Sequence, residues 1–159
     1  MLSSDAALEI LVRGAQALAR ADPLGSRLEH LLTVIGEQLD VESAAIVVPD
    51  PTSGQLVIVA SIGLQDPAIE GLSAALRDPG HPIARTLDDP VPTFDVLPTR
   101  PGGPALRSHL PLLVTRAGSD RVLGVLALAH EHPLDEDSRR LLDAAADLVA
   151  VGVERGGAA

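Results

Sequence analysis

The apolar spacing of this chain changes period twice. Leu8, Leu11, Ala15 and Leu18 recur at intervals of three and four, and so do Leu28, Leu31, Leu32, Ile35 and Leu39. Each set predicts an amphipathic helix. Between residues 44 and 129 the pattern becomes short β-branched runs bounded by turn formers. Helical spacing then returns through Leu141, Leu142, Ala145, Leu148, Val149 and Val153, to about Arg155. Helices at both ends of a set of strands joined by short turns predict an α+β fold, with an antiparallel sheet and the helices on one face.

Local signals sharpen the order. Asp22-Pro23 ends the first helix, because proline disfavours helix at the residue before it. Ser26 and Glu29 have capping-box spacing at the start of the second. Residues 44–49 (AAIVVP) and 55–61 (QLVIVAS) flank Asp50-Pro51-Thr52-Ser53-Gly54, which reads as a hairpin. Residues 62–106 are irregular, with short helices expected near Ile69–Leu76 and Ile83–Leu87, a weak strand over Val91–Phe94, and a loop over Asp95–Pro104. Ser108–Thr115 is a strand whose Pro111 needs an edge, a bulge or a non-bonded position. The turn Ala117–Asp120 leads into the strongest strand, Arg121–Ala129, and Asp135 is the N-cap of the last helix. No internal repeat is visible.

Composition removes several functions. At 159 residues the chain is one domain, with enough apolar material (46%, mean hydropathy +0.25) for a core. All 12 basic residues are Arg, against 22 acids, for a net charge of −10. Such a surface repels phosphates, so nucleic acid is not an expected partner. Without Cys there is no thiolate zinc site, iron–sulfur cluster or thiol nucleophile. No apolar run approaches the ~20 residues of a membrane span, and the first ten residues carry Asp5 and Glu9, the wrong charge for a secretory leader. A cytoplasmic location follows as an expectation. There is no Gly-x-Ser-x-Gly elbow, and Arg100-Pro101-Gly102-Gly103-Pro104 lacks the Lys and hydroxyl of a phosphate loop, so no enzyme and no cofactor are expected.

Several stretches together resemble the GAF domain family. They are LEHLLTVIGEQLD followed by AAIVVPD, LVIVASIGL at residues 56–64, GHPIARTLDDPVPTFDV at residues 80–96, SHLPLLV, and the final VLGVLALAHEHPLDEDSRRLLDAAADLVAVGVE, in which Gly124 is central to a strand. The resemblance runs from about Leu24 to Val153. It implies a PAS-related antiparallel sheet of five or six strands, terminal helices on one face and an irregular helical insert over a pocket on the other. Residues 1–22 would be an N-terminal dimerisation or linker helix, 23–155 the GAF-like domain and 156–159 a tail. Members bind small molecules or act as dimerising relays in signalling proteins, including bacterial two-component systems. The bilin-binding and methionine-sulfoxide-reducing subtypes need Cys, and the cyclic-nucleotide motif needs Asn and Lys. This sequence has none of these residues.

The expectation is therefore a non-catalytic sensory module. It would bind an unidentified small molecule, form a homodimer, or both, and signal to a fused or separate output domain. A scaffold without ligand is the alternative, with a haem sensor using His81 or His109 behind it. Pocket candidates are His81, Arg85, Phe94, Asp95, Arg100, Arg107 and His109, since Arg favours bidentate contact with planar anions. The competing view pairs these Arg with Asp88, Asp89 and Asp95 at the surface. His130 and His132, with Asp135, have spacing that zinc can use, although a solvated strand end explains them too. Leu8, Leu11, Leu18, Leu142, Leu148 and Val149 are the dimer-interface candidates, on the argument that a helix apolar on two sides must bury both.

Overall fold

The structure is a computed structural model and describes residues 4–19, 23–97 and 106–157. The elements are α1 (Ser4–Leu18), α2 (Leu24–Leu39), β1 (Ser43–Pro49), β2 (Leu56–Ile62), α3 (Asp66–Ala75), α4 (Pro82–Asp88), β3 (Thr93–Val96), β4 (Leu106–Arg116), β5 (Ser119–His130) and α5 (Glu136–Gly157). The five strands form one sheet in the order β2-β1-β5-β4-β3, and every pairing is antiparallel. The α+β architecture expected from the spacing is thus present. Among the described residues no helix is long and apolar enough to cross a membrane.

Strand alternation divides the sheet into two faces. On one, Ala44, Ile46, Ala60, Leu110, Leu112, Leu126 and Leu128 meet α1, α2 and α5 in the main core. On the other, Val47 and Val125 meet Leu76 and Ile83, which arrive from the insert with α3 and α4. Both clusters are almost wholly aliphatic, so cohesion comes from many Leu and Val side chains, each contributing about 1.5–3 kcal/mol on burial. The β4–β5 turn places Ala117 (φ 52°) and Gly118 (φ 80°) between paired Arg116 and Ser119. That is the two-residue turn whose twist suits a hairpin. Pro111 is tolerated because β3 pairs with Arg107 and His109, which among the described residues leaves β4 without an outer strand partner at Pro111.

Several local expectations are corrected. Helix α2 begins at Leu24 after an extended Pro23, and no side chain caps it. Ser26 therefore lies inside the first turn, and the capping box with Glu29 does not form. The Pro23 carbonyl instead accepts the Arg27 N–H at 3.1 Å. Strand β3 is shifted to 93–96, beyond Pro92, which has no N–H to donate. The Asp135 cap is present, with its carboxylate accepting the Ser138 N–H at 2.8 Å.

Helix α1 turns one side inward within the chain. Ile10 (0% exposed) and Ala17 (6%) are buried, whereas Leu8 and Leu11 point outward. Contact is close, since a Cβ on Gly14 would sit 2.6 Å from Leu31 of α2, and one on Gly152 of α5 would sit 2.7 Å from Leu18. Helix α1 therefore belongs to the same core as the remainder of the chain.

Candidate functional site

The six pocket candidates that the structure describes do not converge. His81 and His109 share the insert face. His81 caps α4, its Nδ1 accepting the Ile83 N–H at 3.2 Å. His109 on β4 is buried beneath the insert, 3.5 Å from Thr93 Oγ1. Burial first, then His81 and the Arg107 cation, push its pKa down to about 4. Burial also lowers that of His81, against the opposing pull of Asp78. Arg85 is exposed on α4. Arg107 is half-buried, and its guanidinium donates to the Leu106 carbonyl at 3.3 Å. Arg100 lies outside the described residues.

The His109 environment has a measurable consequence. In the unfolded chain the imidazole titrates near pH 6.5, and in the fold near pH 4. Protonation thus favours unfolding: the neutral imidazole's contribution is fully present above pH 6.5 and is lost as pH falls toward 4. Between pH 7 and pH 5 the folded state should lose about 2 kcal/mol through this group. Urea unfolding at both pH values should show His109→Gln lacking that increment. Parallel behaviour of variant and parent would remove the assignment.

Phe94 and Asp95 face the other way, toward α5. Asp95 has a left-handed φ of 57°, at the irregular step of the β3–β4 register. This breaks strand alternation and lets both residues reach one partner. The Arg139 guanidinium lies over the Phe94 ring, 4.9 Å from its centroid, and donates to Asp95 Oδ2 at 2.6 Å. Asp95 Oδ1 accepts the Leu134 N–H at 3.0 Å, and the Asp95 N–H donates to Ser108 Oγ at 3.2 Å. Ser108 Oγ is in turn 2.8 Å from His130 Nε2, while His130 Nδ1 lies 2.8 Å from the His132 carbonyl. The carbonyl can only accept, so Nδ1 carries the proton and Nε2 accepts from Ser108.

A serine hydroxyl on an imidazole nitrogen is the geometry of an activated nucleophile. Here it is sealed. Ser108 is 0% and His130 1% exposed, and the Asp95 carboxylate lies 4.0 Å from Nε2, the nitrogen already facing serine. The arrangement is a satisfied polar core that ties β3, β4 and β5 to the start of α5. Both ring nitrogens of His130 are thus engaged, by Ser108 and by the His132 carbonyl, and no group of three possible metal ligands occurs among the described residues. Sequence reasoning missed Ser108 and Arg139, which nothing in their spacing marks.

The dimer candidates also divide. Leu142 and Val149 are 0% exposed within one chain, and Leu18 and Leu148 are half-buried where α1 meets α5. Leu8 (62%) and Leu11 (37%) are exposed, together with Val12 (46%). Ala15 and Ala19 continue that outer face. The polar residues Glu9, Arg13 and Gln16 lie to one side of it, where Arg13 bridges to Glu37 of α2 at 3.3 Å. A further concavity of ≈ 400 Å³ runs along β2, between Glu29 of α2 and Ile69, Ser73 and Arg77 at α3.

A family model described as GAF domain matches residues 24–155. No curated protein matches the chain. Among solved structures, the GAF domain of a phosphoenolpyruvate-protein phosphotransferase from Coxiella burnetii is 18% identical with a TM-score of 0.74, covering 98% of each chain. Free methionine-R-sulfoxide reductase from Neisseria meningitidis, in complex with its substrate, is 16% identical with a TM-score of 0.69, covering 99% of this chain and 95% of that one. Residues 122 to 287 of a methyl-accepting chemotaxis protein are 17% identical with a TM-score of 0.62, covering 91% of this chain and 96% of that one. At these identities the likeness is one of fold.

Proposed function

Because the chain belongs to the GAF domain family, we propose that it is a non-catalytic regulatory module that works as a homodimer through the outer face of α1. The observation that carries this reading is the uncovered stripe Leu8, Leu11, Val12, Ala15 and Ala19. Leu8, Leu11, Ala15 and Ala19 sit three and four apart, and Val12 follows Leu8 by four, so they form one continuous apolar strip beside a helix face that is already buried. Single exposed apolar residues are ordinary on protein surfaces, but a contiguous strip marks an interface. Closed twofold dimers are the commonest way to cover one. The strip is also self-complementary. An antiparallel axis between Leu11 and Val12 sets the large Leu8 against the small Ala15.

The same geometry supports a dimerising scaffold over binding of a small molecule beneath the insert. Ile83, Leu76, Val47 and Val125 fill that face against one another, and the ≈ 400 Å³ concavity lies elsewhere, along β2. His81 and His109 therefore share a packed face, which does not suit a macrocycle.

Light scattering should give twice the chain mass for the parent and the single-chain mass for the Leu8→Glu/Val12→Glu variant, with unfolding midpoints matching at low protein concentration. The absence of Cys permits a second measurement. Under oxidation Val12→Cys, near the axis, should cross-link to a dimer and Leu8→Cys should not, because disulfides need Cα atoms within about 7 Å. A parent that stays monomeric would refute the proposal.

A further inference from the structure

Strand β2 ends the sheet on the side remote from β3. Its inner edge pairs with β1 from Leu56↔Pro49 to Ile62↔Ala44. Its outer edge has no strand partner among the described residues, so alternate N–H and C=O groups face outward. Proteins commonly guard such an edge with proline, lysine, an inward charge or a bulge. Leu56–Ile62 (LVIVASI) contains no proline and no charge. Its one irregularity is at Val59, between Ile58↔Val47 and Ala60↔Ile46, and at seven residues the strand is about 23 Å long.

The ≈ 400 Å³ groove follows this edge, with residues 55–61 as its floor. One wall is Ile69, Ser73 and Leu76, with Arg77 just past the end of α3, and the other carries Glu29. Among the described residues neither Arg77 nor Glu29 makes an ion pair. The groove thus combines unpaired main-chain groups with one uncommitted charge of each sign on opposite walls.

We infer that it takes an extended segment of a partner protein as an added β-strand, with an acidic side chain toward Arg77 and a basic one toward Glu29. Main-chain hydrogen bonds supply affinity in this mode and alternate side chains supply specificity. Successive side chains of a strand point to opposite faces, so the segment carries its acid and base an odd number of residues apart. Charge argues against a second copy as the occupant. Edge-to-edge pairing about a twofold normal to the sheet puts both Glu29 carboxylates on one face and both Arg77 guanidiniums on the other, like beside like.

The test uses the capped peptide Thr-Val-Asp-Arg-Asp-Val-Thr and the ¹⁵N-labelled chain. Saturable amide shifts should centre on residues 55–61. Arg77→Glu should weaken binding about fivefold, and the peptide Thr-Val-Arg-Arg-Arg-Val-Thr, which turns bases toward the new carboxylate and keeps one toward Glu29, should restore it to that variant. Arg77 is exposed and unpaired, so the fold should tolerate the change. Absence of shifts, shifts centred elsewhere, or equal binding of both peptides to both proteins would overturn the inference. Shifts of residues 55–61 that depend on protein concentration without peptide would overturn it in favour of self-pairing.

Discussion

Gly124→Ala should destabilise the chain by at least ~3 kcal/mol, and Gly124→Val should leave no folded protein at ordinary temperature. Gly124 is on β5, between β1 and β4. A Cβ there would lie 2.3 Å from the Val47 carbonyl oxygen and 2.9 Å from Val48 Cγ1. The first of these is backbone, so no rotamer change relieves it. Moving β1 away would break a ladder paired from Ser43↔Ala129 to Val47↔Val125. Gly71→Ala on α3 is the matched control, since nothing lies within 4 Å of its Cβ position. In a helix alanine should be neutral or stabilising by up to about 1 kcal/mol. Urea denaturation of both variants measures the contrast. A Gly124→Ala protein within ~1 kcal/mol of the parent would mean that β5 does not approach β1 as described.

Asp95→Ala should cost about 3 kcal/mol through three separate losses. The Leu134 N–H, bonded to Asp95 Oδ1 at 3.0 Å, loses its acceptor beside a buried leucine, worth roughly 1–3 kcal/mol. The Arg139 ion pair at 2.6 Å disappears, but Arg139 is 43% exposed and solvent screening holds that loss to about 0.5–1 kcal/mol. Alanine at φ 57° adds roughly 1 kcal/mol, because Asp and Asn tolerate the left-handed region better. Asp95→Asn keeps that tolerance and one acceptor oxygen, so its cost should be no more than half as large. Hydrogen exchange should show the Leu134 amide opening faster in Asp95→Ala than in Asp95→Asn. Equal effects of the two substitutions would remove the backbone and acceptor arguments together.

How far the sequence could be read depended on whether a local pattern had one physical solution. The run Arg121–Ala129 and the hairpin around Asp50–Gly54 admit little besides paired strands, and both are present. Ser26 and Glu29 had the right spacing for a cap, but Pro23 suits the position before a helix and starts α2 three residues earlier. In α1, spacing picked out the stripe Leu8, Leu11, Ala15 and Leu18, whereas Ile10, Gly14 and Ala17 form the buried side. A glycine signals no face by itself, although Gly14 lets α1 lie close against Leu31. Phe94 at the end of a weak strand and Asp95 at the start of a loop read from sequence as pocket residues of the insert. One left-handed residue at a register irregularity redirects them to Arg139, and a dihedral angle of that kind leaves no periodic trace in sequence.

The grip of Asp95 on Arg139 fixes α5 near its origin, to the strand that closes the insert. With 22 residues, α5 is a rod about 33 Å long. It is held near its far end as well, where Glu154 meets Arg116 of β4 at 2.6 Å and Gly152 lies against Leu18 of α1. Such a rod cannot swing about one clamp, so a displacement of β3 is passed on as a shift of the whole helix, carrying α1 and its outer strip with it.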